Sequence, residues 1–432
     1  MSVLTDHQLF ELLCQLVALI AGFYLASWVV TRLGRKRPGL TIGRAITAAF
    51  AVRILGALAV EQTSAARELR GPDELVWLGR AQDLAAGSIS SDESIDALTS
   101  ELHTFFFSLH FKVLDTVPEM MLRFEMISFA VVGAALLTAA VYELAGGRAA
   151  VVAAWLLALE PTGVFFSGLL HKEPLMFLAE GMVAFGGAVL WKRGDQRAFV
   201  PIVLGCLIAT ATRPYVGWFL AAAAAAVALH SALRRGAPAG RSFALAVVIL
   251  ALIAVFVPVV WQASSEKSLQ TSLQSSQDAN TADAKANLSL EQIDYSSRGK
   301  LVVNLPTRIK DVVLRPYPWE LQNTSQRLGL LGTLVMFIGL ILLAHALSRN
   351  GGAIMRRAAP LIYPTLFLLV AYSLSAGNAG TAFRYRTHIV GMLLCLLVVM
   401  REERTEGAAG GARRVARRPI GIAVPRTRVT SA

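Results

Sequence analysis

Asp73 and Glu74 are adjacent carboxylates in the loop after an apolar stretch that ends at about residue 61, behind Pro72. At such a boundary an ionised carboxylate can accept or align the proton of a hydroxyl group. Glu173 adds a third carboxylate beside Lys172, and Arg213, Arg315, Arg384 and Arg386 add guanidinium groups, which hold phosphates through paired donors. Scarcity of water strengthens both kinds of contact. Carboxylates facing several cations suit glycosyl transfer from a lipid-linked phosphosugar, with the isoprenoid tail in the bilayer and the phosphate at its surface. Glu160 sits inside an apolar run, where an ionisable group is costly and normally faces a cavity or a partner; it is expected to be protonated or paired with Arg123. Trp319, with Tyr317, reads as an aromatic anchor at the interface. The candidate catalytic residues are therefore Asp73, Glu74 and Glu173, and the candidate substrate contacts are Lys172, Arg213, Arg315, Arg384, Arg386, Glu160 and Trp319. His103, His110 and His171 do not have zinc-ligand spacing, so no metal ligands are assigned and a divalent cation at Glu173 is only an option.

The elements that must position these residues are membrane helices. The chain has 432 residues, 55% hydrophobic and 16% charged, and its apolar residues gather into runs of about 18 to 22. That composition excludes a set of soluble domains. The net charge of +12 falls in short clusters between apolar runs and in the tail after Arg401, a positive-inside pattern rather than a nucleic-acid surface. Cys14, Cys206 and Cys395 all lie within apolar runs, which supports neither a disulfide framework nor a thiolate metal site.

Read in order, the chain predicts an all-α polytopic bundle of about eleven membrane helices. An N-terminal span and its basic cytoplasmic turn occupy 1–43, and the N-terminus is expected outside. A membrane module follows over 44–241. Its first outer loop, 62–118, contains an interfacial helix after Pro72, because Leu75, Trp77, Leu78, Ala81, Leu84 and Ala85 recur at helical spacing, and a second over the apolar stretch Phe105 to Leu114. The fourth span is broken at Glu160 and Pro161, and 199–234 reads as a hairpin of two short helices with Arg213 near its apex. Further spans occupy 242–400, with a long polar outer loop at 262–326 and an outer turn at 377–386. The basic tail, 401–432, is expected in the cytoplasm, and every unusual polar group then falls on the outer face.

Several motifs also carry a family resemblance. Pro72, Asp73 and Glu74 precede an Ala/Leu-rich amphipathic helix, Arg123 opens a span ending in Gly146, Gly147 and Arg148, and the stretch from Leu157 to Glu173 leads into a second acidic loop. Their order over residues 44–231 resembles the membrane glycosyltransferases of the GT-C superfamily. The resemblance implies an all-helical fold, polyprenyl-phosphate sugars as donors, and a catalytic or acceptor-activating role for Asp73. It puts Glu173 at the second acidic position, where the family commonly has Asp, and Arg213 at a basic position of the later hairpin. Trp77 stands where Tyr is frequent.

The expectation is thus a multi-pass protein of a bacterial plasma membrane that transfers a sugar on the extracytoplasmic face to a glycan or lipid-linked acceptor, in contact with membrane lipids and not with nucleic acid. The rivals are a polymerase or ligase using polyprenyl-diphosphate glycans, and a lipid or sugar flippase; the flippase would spread its polar residues through the midplane.

Overall fold

A computed structural model describes residues 5–63, 73–90, 97–99, 101–235, 297–321, 324–376 and 379–416. Pro72, the expected helix at 242–261 and the polar segment from 262 to 296 lie outside them, as does the tail beyond 416. The described residues contain helices and no strand. Among the described residues eight stretches are long and apolar enough to cross a membrane, or nine if one bent pair counts as a span. The protein is a multi-pass helical membrane protein.

Helix α1 (Asp6–Arg35) starts at a reciprocal cap between Thr5 and Gln8, and α2 (Gly43–Gln62) returns the chain. Two short helices follow, α3 (Asp73–Ala86) and α4 (Leu102–Phe111). Glu74, Leu78, Ala81 and Leu84 form a buried stripe at helical spacing along α3, while Leu75 and Val76 stay exposed. Helix α5 (Glu119–Ala145) ends at Gly146, whose φ of 89° suits a residue without a side chain. Helices α6 (Gly147–Leu159) and α7 (Pro161–Ser167) form the broken span, bent by 61°.

Helix α8 (Glu173–Arg193) is followed by α9 (Phe199–Thr212) and α10 (Pro214–Arg235). The hairpin reading holds for Arg213 at its apex. It fails for the second arm, because the residues from Pro214 to Arg234 are long and apolar enough to cross. Helix α11 (Arg298–Leu314) lies within the segment read as a polar loop. Helix α12 (Thr324–Ser375) runs without interruption through two separate candidate spans, and α13 (Ala379–Ala416) is the last helix.

Helices α5 and α8 form the centre, and they share the largest interface in the molecule. Within their apolar windows 83% and 78% of residues are buried, against 17% for α1, which lies at the edge. They approach at Gly133 and Gly181, where a Cβ on either residue would collide with the backbone carbonyl of Phe177 or Gly133. The two helices are parallel. Their C-terminal ends are joined by Glu143, which pairs with Arg193 at 2.8 Å and with Arg37, beyond α1, at 2.7 Å. Their N-terminal ends lie together at the opposite end of the bundle, beside α3 and the starts of α10 and α13.

Candidate active site

At that second end, Arg384 of α13 joins two carboxylates from distant parts of the chain. Its Nη1 donates to Asp73 Oδ2 at 2.9 Å and its Nε lies 3.2 Å from Glu173 Oε1. Arg213 Nη2 reaches the same Glu173 oxygen at 2.5 Å. Local structure explains each placement. Asp73 and Glu173 are the first residues of α3 and α8, where unpaired backbone amides favour an anion. Arg213 has extended backbone (φ −145°, ψ 90°) between two helices, as expected of the residue before Pro214. Arg384 lies one turn into α13.

The two arginines, Arg213 and Arg384, border a cavity of about 230 Å³. Lys172, Arg213 and Arg384 line it together with His171 and three aromatic residues, Trp77, Tyr215 and Tyr385. The Tyr215 and Tyr385 hydroxyls are 3.1 Å apart, and the Arg213 guanidinium lies 4.5 Å from the Tyr385 ring centre. Lys172 Nζ sits 4.8 Å above the Trp77 ring, whose edge meets the buried imidazole of His103 at 5.0 Å.

Electrostatics favour an anion here. Burial works against the charge of Arg213, but Glu173, together with the hydroxyls of Tyr385, Tyr215 and Tyr372, outweighs it, and its pKa is raised. Burial, with Arg213 as the next cause, pulls the Lys172 ammonium down to about 8. Burial and then Arg384 lower the pKa of His171, and burial and then Lys172 push that of His103 well down. Both imidazoles are neutral at pH 7. Lys172, Arg213 and Arg384 line the cavity as three cations, with Asp73 and Glu173 paired to the arginines and Glu101 attracting Lys172. Arg213 Nη1 and Glu173 Oε2 are buried without a hydrogen-bond partner.

Asp73, Glu173, Lys172, Arg213 and Arg384 therefore come together, and the other candidates do not. Glu74 is fully buried: Arg123 donates to both of its oxygens, at 3.1 and 2.8 Å, and the Leu170 amide donates at 2.6 Å. These bonds clamp α3 to α5, and Glu74 does not line the cavity. Arg123 also meets Glu61 and Glu119, not Glu160. Glu160 instead caps α7, accepting from the amides of Thr162 and Gly163.

Arg386 is buried away from the cavity, donating to the Val313 carbonyl and to Thr333 Oγ1. The expected turn at 377–386 is helical from Ala379, and residues two apart on a helix do not share a face. Arg315 pairs with Glu320 at 3.1 Å and Asp311 at 3.8 Å beyond α11, and Trp319 is 79% exposed and stacked on Tyr317. Neither lines the cavity.

Sequence reasoning missed the two tyrosines, His171 as a cavity residue, and a second polar cluster inside the bundle. A signal for the tyrosines was present: Tyr215 follows Arg213 and Pro214, and Tyr385 follows Arg384. The second cluster pairs Glu180 of α8 with His388 Nδ1 of α13 at 3.1 Å, and both line a smaller cavity with Arg53 and Glu160. Polar groups thus do not gather on one face alone. Among the described residues no group of three or more His, Cys, Asp or Glu side chains is placed to hold a metal ion. No protein-family model, no curated protein and no solved structure matches the chain.

Proposed function

We propose that this protein is a membrane glycosyltransferase that moves a sugar from a polyprenyl-phosphate-linked donor to a glycan or lipid-linked acceptor. The observation that carries the reading is the cationic cavity at one end of the helical bundle, with Asp73 and Glu173 tied to Arg384 at its border. The three cations that line the cavity suit the negative charge of a phosphodiester. Arg213, Lys172 and Arg384 hold the phosphate, and the competition of that phosphate for Arg384 frees Asp73. The Asp73 carboxylate then takes the acceptor hydroxyl proton while the acceptor oxygen bonds to the anomeric carbon. The bond from that carbon to phosphate oxygen breaks, and the leaving polyprenyl phosphate, one charge more negative, stays on the guanidinium groups.

The opposite end carries Arg37, Arg148, Lys192, Arg193, Arg234 and Arg356. By the positive-inside bias that end faces the cytoplasm and the cavity faces out, in a bacterial plasma membrane. Transfer of a radiolabelled sugar from a polyprenyl-phosphate donor by protein in nanodiscs tests the reading. Label should reach an acceptor with wild type and not with Arg384→Ala, and equal transfer by both would overturn it.

A flippase is the second reading, favoured by Arg53, Glu160, Glu180 and His388 inside the bundle. It predicts movement of a fluorescent phospholipid-linked sugar between leaflets with no glycosidic bond formed.

A further inference from the structure

We propose that the small cavity between α5, α6, α8 and α13 is a site for a water molecule and a proton, built by Glu180, His388 and Thr387. The inference goes beyond glycosyl transfer and requires no donor.

Glu180 lies two turns of α8 beyond Glu173, about 10 Å further into the bundle. His388 Nδ1 faces both of its oxygens, at 3.1 and 3.2 Å, and a carboxylate has no proton to offer, so Nδ1 is the donor. The second ring nitrogen, Nε2, is then an acceptor. Nε2 and Thr387 Oγ1 are both buried without a hydrogen-bond partner, and both residues line the cavity. A volume of about 30 Å³ holds one water molecule and little more. A water there donates to Nε2 and bonds the Thr387 hydroxyl, so one molecule satisfies two polar groups that are costly to leave unmet.

The surrounding charges single out the Glu180–His388 pair. Arg53 of α2 and Arg386 of α13 both act on Glu160, the cap of α7. The cavity walls from α5 and α6 are apolar. From α12, Tyr372 stacks on His388 at 5.3 Å and sets its hydroxyl 3.5 Å from Glu180, while Phe177 of α8 meets the imidazole at 4.6 Å. Arg213, just before α10, lies 6.0 Å from the Tyr372 ring and is paired with Glu173. Among the described residues, His388 is thus the one basic group within ion-pair distance of Glu180. A carboxylate inside the membrane without a cation is costly. A proton removes that cost. A hydronium in the cavity gives its proton to Nε2 and is left as water, and the imidazolium so formed pairs through its Nδ1–H with the Glu180 carboxylate. Release is the same step reversed.

Thr387–His388 is the one Thr–His pair in the sequence, so carbonyl-labelled threonine combined with nitrogen-labelled histidine marks this ring alone in the full chain in nanodiscs. Solid-state NMR reads the protonation of both ring nitrogens between pH 5 and 9. The ring should be an imidazolium at the acid end, its neutral form should carry the proton on Nδ1, and Nε2 should receive magnetisation from water. Glu180→Gln should lower the ratio of charged to neutral ring about tenfold or more. Gly391 also lines the cavity, and a methyl there meets nothing nearer than Leu157 Cδ2 at 3.6 Å, so Gly391→Ala should keep the fold and abolish the transfer from water. A ring that stays neutral at every pH would overturn the proton site, as would a neutral form protonated on Nε2. Absence of transfer from water in wild type, or equal transfer in Gly391→Ala, would overturn the water site. The wild-type titration decides by itself if Glu180→Gln does not fold.

Discussion

Asp73 and Glu74 are neighbours in sequence with opposite fates, because consecutive helical residues point about 100° apart. Asp73 keeps a half-open position beside Arg384, so Asp73→Asn should cut transfer about a hundredfold with donor binding retained. Initial rates and calorimetry on the same preparation check it. Glu74 faces Arg123 with no exposure, and Glu74→Gln removes the fully buried one of the three carboxylates that meet this guanidinium, leaving Glu61 and Glu119. The loss should appear as about 1 to 3 kcal/mol of stability in a thermal or denaturant scan rather than as a defect of the chemical step.

The pH dependence belongs to Lys172. A folded-state pKa of about 8 means the ammonium is charged at pH 7 and is lost as pH rises through 8. Phosphate binding should therefore weaken between pH 7 and 9, and Lys172→Arg, whose charge persists over that range, should flatten the fall. An equally steep decline in the arginine variant would exclude Lys172 as the titrating group. The three cavity residues closest to this chemistry were legible from charge alone, since a cation or carboxylate at a span boundary is rare enough to stand out.

Which face of a helix a residue occupies was less legible, and α13 shows why. Arg384 and Arg386 look equivalent when Gly377 and its neighbours are read as a turn. Once the helix begins at Ala379 they diverge, one to the cavity and one to Val313 and Thr333. Arg384→Ala should weaken donor binding, whereas Arg386→Ala should lower the melting temperature and leave the donor KM unchanged. Helix periodicity could not separate them because Gly377, Asn378, Gly380 and Thr381, around the start of α13, are weak helix formers. The crossing of α5 and α8 was invisible for a related reason: two glycines among many small residues carry no mark of contact. Gly133→Ala and Gly181→Ala should each part these helices and lower thermal stability, as checked by the melting temperature in detergent; melting unchanged from wild type would show that the crossing has slack.

Across the whole molecule, the sorting of charge predicts orientation. A cysteine replacing exposed Gln82, at the cavity end, should react with a membrane-impermeant maleimide in intact cells. One replacing exposed Arg148, at the opposite end, should react only after the cells are permeabilised. The reverse pattern would turn the molecule over and remove the extracytoplasmic reading. The broken span has a further consequence, and it concerns biosynthesis. Pro161 has no amide hydrogen to offer the Leu157 carbonyl one turn earlier, and Arg53 Nη2 donates to that carbonyl instead, at 3.0 Å, while its Nε donates to Ser167. These partners are synthesised 104 and 114 residues after Arg53. Helix α2 therefore leaves the ribosome with a guanidinium that costs about 3 kcal/mol at the centre of a bilayer, and at about 5 to 20 residues per second its partners arrive seconds later. A nascent chain stopped before residue 150 should hold α2 poorly in the membrane, and Arg53→Leu should improve that partition while destabilising the finished protein.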